Sequence, residues 1–299
     1  MNELIMTLQQ HGDLVGYLAL DLVIAIILLG AIRYTMGMMA KVNTAEELAT
    51  KDNFAYGVSV AGGVAAMGIA LSGVITGELA GSYQTELVAM LSYGVAALVL
   101  IKAGSYINDK FALPDFDKQE LILSRNLAVG IIDAASAIAT AIVVRAAITW
   151  VEGVSVNTFI ALAVAWMVSQ LMLVIITRIF EWKYAQYNGM TFQTALTNEH
   201  IALAIRFSGY LISTAMSVTA ASYFIAFNVE NLWIGIAQWI IISVILMMSL
   251  TLFSTIAKLL VLWGINRRVE VEDQQNIGIA IIEFAASFAI ALLLMALMS

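Results

Sequence analysis

Arg125-Asn126-Leu127-Ala128-Val129-Gly130 opens an apolar run that continues to Thr149, and the same opening recurs three more times along the chain. The counterparts read Asp52-Asn53-Phe54-Ala55-Tyr56-Gly57, Glu199-His200-Ile201-Ala202-Leu203-Ala204 and Gln275-Asn276-Ile277-Gly278-Ile279-Ala280. Their polar heads, Asn53, Asn126, His200 and Asn276, fall 73, 74 and 76 residues apart, a regularity that marks internal repeats. An asparagine at a helix start accepts hydrogen bonds from backbone N–H groups that lack an intrahelical partner, so Asn53, Asn126 and Asn276 read as N-caps, with His200 in the same place in the third copy. Small residues come two, four and nine positions after each head, as in Gly57 and Gly62, Gly130 and Ala135, Ala204 and Gly209, Ala280 and Ala285. Small residues let helix backbones approach closely in lipid, so the helices that begin at the heads are expected to form the packed centre.

Working outward from the heads, the chain divides into runs long enough to cross about 30 Å of hydrocarbon at about 20 residues each. Eight such runs are expected: Leu14 to Tyr34, Phe54 to Val74, Glu86 to Ile107, Leu127 to Thr149, Thr158 to Phe180, Ile201 to Phe224, Leu232 to Val261 and Ile277 to Met298. The first is too long for a signal-peptide core and reads as a membrane span. Composition agrees, since 62% of the 299 residues are hydrophobic and 12% are charged, against about 25% charged in soluble domains. The fold class is all-α membrane, about eight transmembrane helices in four tandem two-helix repeats. Residues 1–150 form the first four-helix half and 151–299 the second, within one integral membrane domain.

Twelve of the fourteen Lys and Arg residues flank alternate connections: Arg33, Lys41 and Lys51; Lys102, Lys110, Lys118 and Arg125; Arg178 and Lys183; Lys258, Arg267 and Arg268. Short cytoplasmic loops accumulate basic residues, so these connections are assigned to the cytoplasm and both termini to the opposite side. The other connections carry Glu78, Glu152 and Glu230, with Arg145 near one helix end. The net charge of −7 excludes nucleic acid as a partner. Arg33, Lys102, Arg178 and Lys258 read as side chains that reach back to the interface. Trp150, Trp182, Trp233 and Trp263 lie near span ends, where an interfacial aromatic belt accounts for them.

The stretch from Asn108 through Leu113-Pro114-Asp115-Phe116-Asp117 to Arg125-Asn126-Leu127-Ala128-Val129-Gly130-Ile131-Ile132-Asp133-Ala134 resembles the YjfL-like bacterial inner-membrane proteins, a family of unknown function built from repeated helix pairs. The likeness covers most of the chain and is strongest from about Asp52 to Arg145. The second half departs from it: the Leu-Pro-Asp-Phe-Asp segment is missing before Asn276, and His200 replaces the asparagine. The resemblance implies a multi-pass protein of the bacterial inner membrane and carries no catalytic residues.

Seven positions past the heads, the units carry Val60, Asp133, Phe207 and Glu283. Seven residues of helix reach about 10 Å into the bilayer, where a lone ionised carboxylate is costly and marks a functional candidate. Asp133 and Glu283 would face one another if the repeats surround a common axis, and would bind a cation or relay protons. The competing reading makes them structural ion pairs, neutralised by Arg206 at a similar depth or by Lys102 and Lys258. Asp21 admits two readings, a pair with Arg145 or a place in an outer cation vestibule. The loop from Asp109 to Glu120 lacks the EF-hand ligand pattern and its turn glycine. Pro114, Asp115, Phe116 and Asp117 are instead candidates for docking a cytoplasmic protein. No metal site, cofactor or enzymatic motif is expected: there is no cysteine, His11 and His200 are far apart, and no phosphate-cradling glycine loop is present. Two functions stay open, an ion or proton channel or transporter using the intramembrane carboxylates, and a membrane scaffold for cytoplasmic partners in envelope maintenance or stress response. Either would have the lipid bilayer as its surroundings and is compatible with a homo-oligomer.

Overall fold

Each head sits at a sharp reversal with the same backbone in all four copies. The residue before it adopts the left-handed conformation, with φ of 47° at Asp52, 73° at Arg125, 59° at Glu199 and 54° at Gln275. None of the four is glycine, so each carries a steric cost of about 1 kcal/mol. The head then caps the helix it opens: the side-chain acceptors of Asn53, Asn126, His200 and Asn276 take the backbone N–H of Tyr56, Val129, Leu203 and Ile279 at 3.0, 3.0, 3.2 and 3.2 Å. A short helical turn leads into each reversal, π-helical at Glu46–Thr50 and Val269–Asp273 in the outermost copies and α-helical in the middle two.

The computed structural model describes residues 2–75, 82–228 and 230–298, with side chains from residue 15 onward. Its helices are α1 (Asn2–Ala40), α2 (Phe54–Ile75), α3 (Tyr83–Ile107), α4 (Lys118–Leu123), α5 (Leu127–Trp150), α6 (Val156–Asn188), α7 (Phe192–Thr197), α8 (Ile201–Ala220), α9 (Leu232–Val261) and α10 (Ile277–Met298), and no strand occurs among the described residues. All but α4 and α7 are long and apolar enough to cross a bilayer, which makes eight spans and a multi-pass membrane protein. Several helices outrun the boundaries expected from hydropathy. α1 continues past Tyr34 to Ala40 through the largely apolar Thr35 to Ala40, and α6 past Phe180 to Asn188, where charged and polar residues such as Glu181 and Lys183 cost a helix little once it has left the lipid. Glu78 and the side chain of His11 lie outside the described residues.

The units pair α1 with α2, α3 with α5, α6 with α8 and α9 with α10. Their inner helices α2, α5, α8 and α10 pack side by side in chain order, while α3, α6 and α9 each lie against two successive inner helices. The arrangement is an open row with α2 and α10 at its ends, so the expectation that the repeats surround a common axis is corrected. The packed centre is also narrower than expected: 78% of the span window is buried in α5 and in α8, but 50% in α2 and 33% in α10.

Small residues set the spacing within the row. A Cβ added to Gly62 would fall 2.3 Å from the Ala134 Cα, one on Gly130 2.6 Å from the Ala55 carbonyl oxygen, and one on Gly209 2.6 Å from the Phe284 Cα. Any side chain at these positions would force the helices apart, and such close packing is what holds helices together where lipid removes the hydrophobic drive. At the end of the bundle remote from the heads, Trp150 is buried, donates its indole N–H to the Ile225 carbonyl at 2.8 Å and meets Trp239 edge-on. Trp150 is therefore a core anchor, unlike the exposed Trp182, Trp233 and Trp263.

Candidate functional site

The heads do more than cap. The Asn53 amide donates to the Ile122 and Leu123 carbonyls at 3.1 and 3.3 Å, and the Asn126 amide to those of Leu196 and Thr197 at 3.0 and 3.2 Å. His200 places Nε2 3.0 Å from the Glu272 carbonyl. Because its Nδ1 accepts the Leu203 N–H, the proton sits on Nε2 and that nitrogen donates. Each of the first three heads thus grips the chain three or four residues ahead of the next head. This fixes the register between neighbouring units and brings the residue six past one head against the residue seven past the following head.

Between the first two units, that register joins Ser59 to Asp133. The Ser59 hydroxyl donates to one carboxylate oxygen, and the Lys118 ammonium approaches the other at 2.6 Å. Lys118 also pairs with Asp109 at 2.7 Å. Local sequence explains the convergence: Asp117 caps α4 by accepting the N–H groups of Gln119 and Glu120 at 2.9 and 3.1 Å, and the π-turn Asn108–Ala112 at the end of α3 carries Asp109 inward. The Lys118 and Asp133 side chains are only 13% and 10% exposed, so this is a desolvated charge pair. Burial alone would drive the proton from Lys118, but Asp133 and Asp109 outweigh it and hold the ammonium above the ordinary lysine range. A cavity of about 70 Å³ opens beside them, lined by Ser59, Lys102, Asp109, Lys118 and Asp133 together with apolar side chains such as Met36. That is space for several waters at about 15 Å³ each.

Between the last two units the same register joins Arg206 to Glu283, at 2.5 Å. Arg267 reaches the second Glu283 oxygen at 3.2 Å. Arg206 is itself fully engaged, meeting Glu272 at 2.7 Å and donating to the Arg267 carbonyl at 2.7 Å. Glu272 is further held by Asn188 at 2.8 Å and Arg268 at 3.3 Å. Between the middle two units the corresponding residues are Ile132 and Phe207, both buried and apolar. Asp133 and Glu283 therefore occupy separate nests with the apolar junction between them, and do not share one site as the axial arrangement required.

The remaining candidates lie apart from both nests or at their edges. Asp21 is buried and faces Glu86, while Arg145 donates to the Ser72 hydroxyl at 3.0 Å, so the Asp21–Arg145 pair is corrected. Asp115 exchanges two hydrogen bonds with Gln193, at 2.7 and 2.8 Å. Phe116 packs against the core, and Pro114 and Asp117 stay exposed. Lys102 and Lys258 are half-buried, the first lining the cavity and the second placed near Glu283 and both arginines. Sequence reading missed Ser59, Asp109, Lys118, Arg267 and Glu272. For Ser59 the signal was the repeat itself, since placing six past one head against seven past the next pairs Ser59 with Asp133; the other four lie in the connections, outside that register. No group of three or more His, Asp or Glu residues able to hold a metal occurs among the described residues.

Comparison with curated proteins and with solved structures returned no match. A family model described as Domain of Unknown Function (DUF350) matches twice in tandem, over residues 7–148 and 154–298. Each match spans four of the eight membrane helices and includes one charged nest, Asp133 in the first and Glu283 in the second. The chain belongs to the DUF350 family and carries two consecutive copies of its domain.

Proposed function

We propose that the chain handles protons or small cations in a bacterial inner membrane, with the first nest as the working element and the second as a structural clamp. The basic connections would then face the cytoplasm, with both termini opposite, and the kinship would lie with the YjfL-like proteins. The observation that supports this is the cavity beside Asp133, where a buried carboxylate has one lysine bonded to it and a second, Lys102, lining the same space. Asp133 has two cations to choose between, and Lys118 has two carboxylates. Small movements of α4 would exchange these partners and let water or an ion reach Asp133 from the head side. Glu283 is held more firmly, because two guanidinium groups bind both its oxygens and arginine does not release its proton, with Lys258 as a further cation nearby.

The test is flux into liposomes loaded with a pH-sensitive dye or a cation indicator. Asp133→Asn is expected to reduce flux at least tenfold, and Glu283→Gln to leave it within about twofold wherever the variant remains folded. Native protein that moves neither protons nor monovalent cations would sink the reading. The scaffold alternative gains less support, since the loop proposed for docking spends Asp115 and Phe116 on contacts within the chain.

A further inference from the structure

The row of inner helices ends in two unmatched faces that fit each other. The head bonds keep one register at all three junctions inside the chain. The residue four past a head meets the residue two past the preceding head, as Gly130 meets Ala55, and the residue nine past a head meets the residue eight past the next, as Gly62 meets Ala134 and Gly209 meets Phe284. Carried one step beyond the chain, this register falls on Gly278 and Ala285 of α10 and on Gly57 and Ala61 of α2. All four are small. Gly278, Ala285 and Ala61 are also exposed, and the one close neighbour a side chain at Gly278 would meet is the capping Asn276 Oδ1 of its own unit, at 3.3 Å. A lipid-facing position is served by large apolar residues, as at Ile281, Leu292 and Leu293 on the exposed side of α10.

Two independent features point the same way. The relay of head side chains is open at both ends: Ala49 and Thr50, four and three residues ahead of Asn53, receive no such bond from a described residue, while the Asn276 amide has no following unit and turns back to Glu270 at 2.8 Å. The charged register is apolar at this step, because the matching positions are Ile282, which is exposed, and Val60, which is already buried within the chain. Joining the two ends would bury no unpaired charge. We infer that α10 of one copy packs against α2 of another, continuing the repeat between chains as a head-to-tail homo-oligomer. Such a contact is heterologous, so it closes into a ring or extends as an array according to the rotation between copies.

The native chain contains no cysteine, which makes the test direct. In oxidised membranes, Ala61→Cys with Ala285→Cys in one chain is expected to give a ladder of disulfide-linked dimers and higher species. Each single variant stays monomeric, and co-expression of the two singles yields dimer alone. Ala135→Cys with Ser208→Cys places the same register inside the chain and should close as an intramolecular bond. A closed internal control with a monomeric double variant overturns the inference, as does Ala285→Cys dimerising alone, which would report a symmetric contact. Ala285→Phe is expected to shift the protein from oligomer to monomer on native gels, and an unchanged oligomer would equally overturn it.

Discussion

Arg206 reaches across from α8 to Glu283 on α10 at 2.5 Å, in the same register that places Ile132 against Phe207 one unit earlier. One backbone junction therefore accepts either a charged or an apolar pair. Removing one partner of a buried pair costs about 3–5 kcal/mol, whereas replacing both by well-packed apolar residues is often neutral. Arg206→Ile with Glu283→Phe should accordingly unfold at a higher temperature in detergent than either single variant. The coupling between the two positions is expected to be about 2 kcal/mol or more. Additive losses would mean that the two side chains act independently, each through its other partners, and would overturn the coupling.

The first nest responds differently to pH. The folded state raises the Lys118 proton affinity above its unfolded value. The stability this lends is therefore fully present below the unfolded lysine value of about 10.4 and is lost only as pH climbs through the higher folded value. Across pH 5 to 9 Lys118 remains charged, so any pH dependence of flux in that window comes from another group. Lys118→Met should lower thermal stability by about 3 kcal/mol or more, because it takes the ion-pair partner from Asp109 and leaves Asp133 with the Ser59 hydroxyl and the more distant Lys102. The flux profile of the native protein between pH 5 and 9 should contain no step belonging to Lys118. Melting curves and flux at matched pH check both statements.

Much of this was legible in the sequence, and the reasons are physical. Lipid forces apolar runs of fixed length, so the eight spans could be read off directly, and the heads were visible because capping needs a polar side chain at one position. The row was not legible, because similar repeats can close around an axis or extend in a line, and what decides between them is that α10 does not pack against α2 among the described residues. Lys118 looked like one loop charge among several. Its burial depends on the Asp117 cap that sets the direction of α4, a tertiary consequence that hydropathy does not encode.

The heads should differ in worth according to whether another unit lies beyond them to be gripped. Asn126 is buried, accepts one backbone N–H and donates to two carbonyls of the next unit, while the half-buried Asn276 caps its helix and bonds only within its own unit. Loss of a cap costs about 1 kcal/mol, and stranding buried carbonyls adds about 1–3 kcal/mol. Asn126→Ala should therefore destabilise the monomer in dilute detergent by about 2–4 kcal/mol, against about 1 kcal/mol for Asn276→Ala. Asn126→Asp keeps the cap acceptor but turns a buried carboxylate oxygen toward the Leu196 and Thr197 carbonyls, and should cost at least as much as Asn126→Ala. Equal losses at 126 and 276 would mean that the grip on the next unit adds nothing.

The reversal before each head supplies a further discriminating substitution. Gln275 is exposed and holds φ at 54°, with no side-chain hydrogen bond among the described contacts. Glycine adopts that conformation without steric cost, although it brings more entropy to the unfolded chain. The steric gain of about 1 kcal/mol exceeds the entropy loss at a left-handed position. Gln275→Gly should therefore raise the unfolding temperature slightly, and Gln275→Val should lower it, because a β-branched side chain crowds the following carbonyl. Arg125 has φ of 73° but donates to the Lys51 carbonyl at 2.6 Å, so Arg125→Gly loses a contact while gaining backbone freedom and should come out near zero or below. A gain at 275 without one at 125 would separate the conformational cost of the reversal from the work its side chain performs.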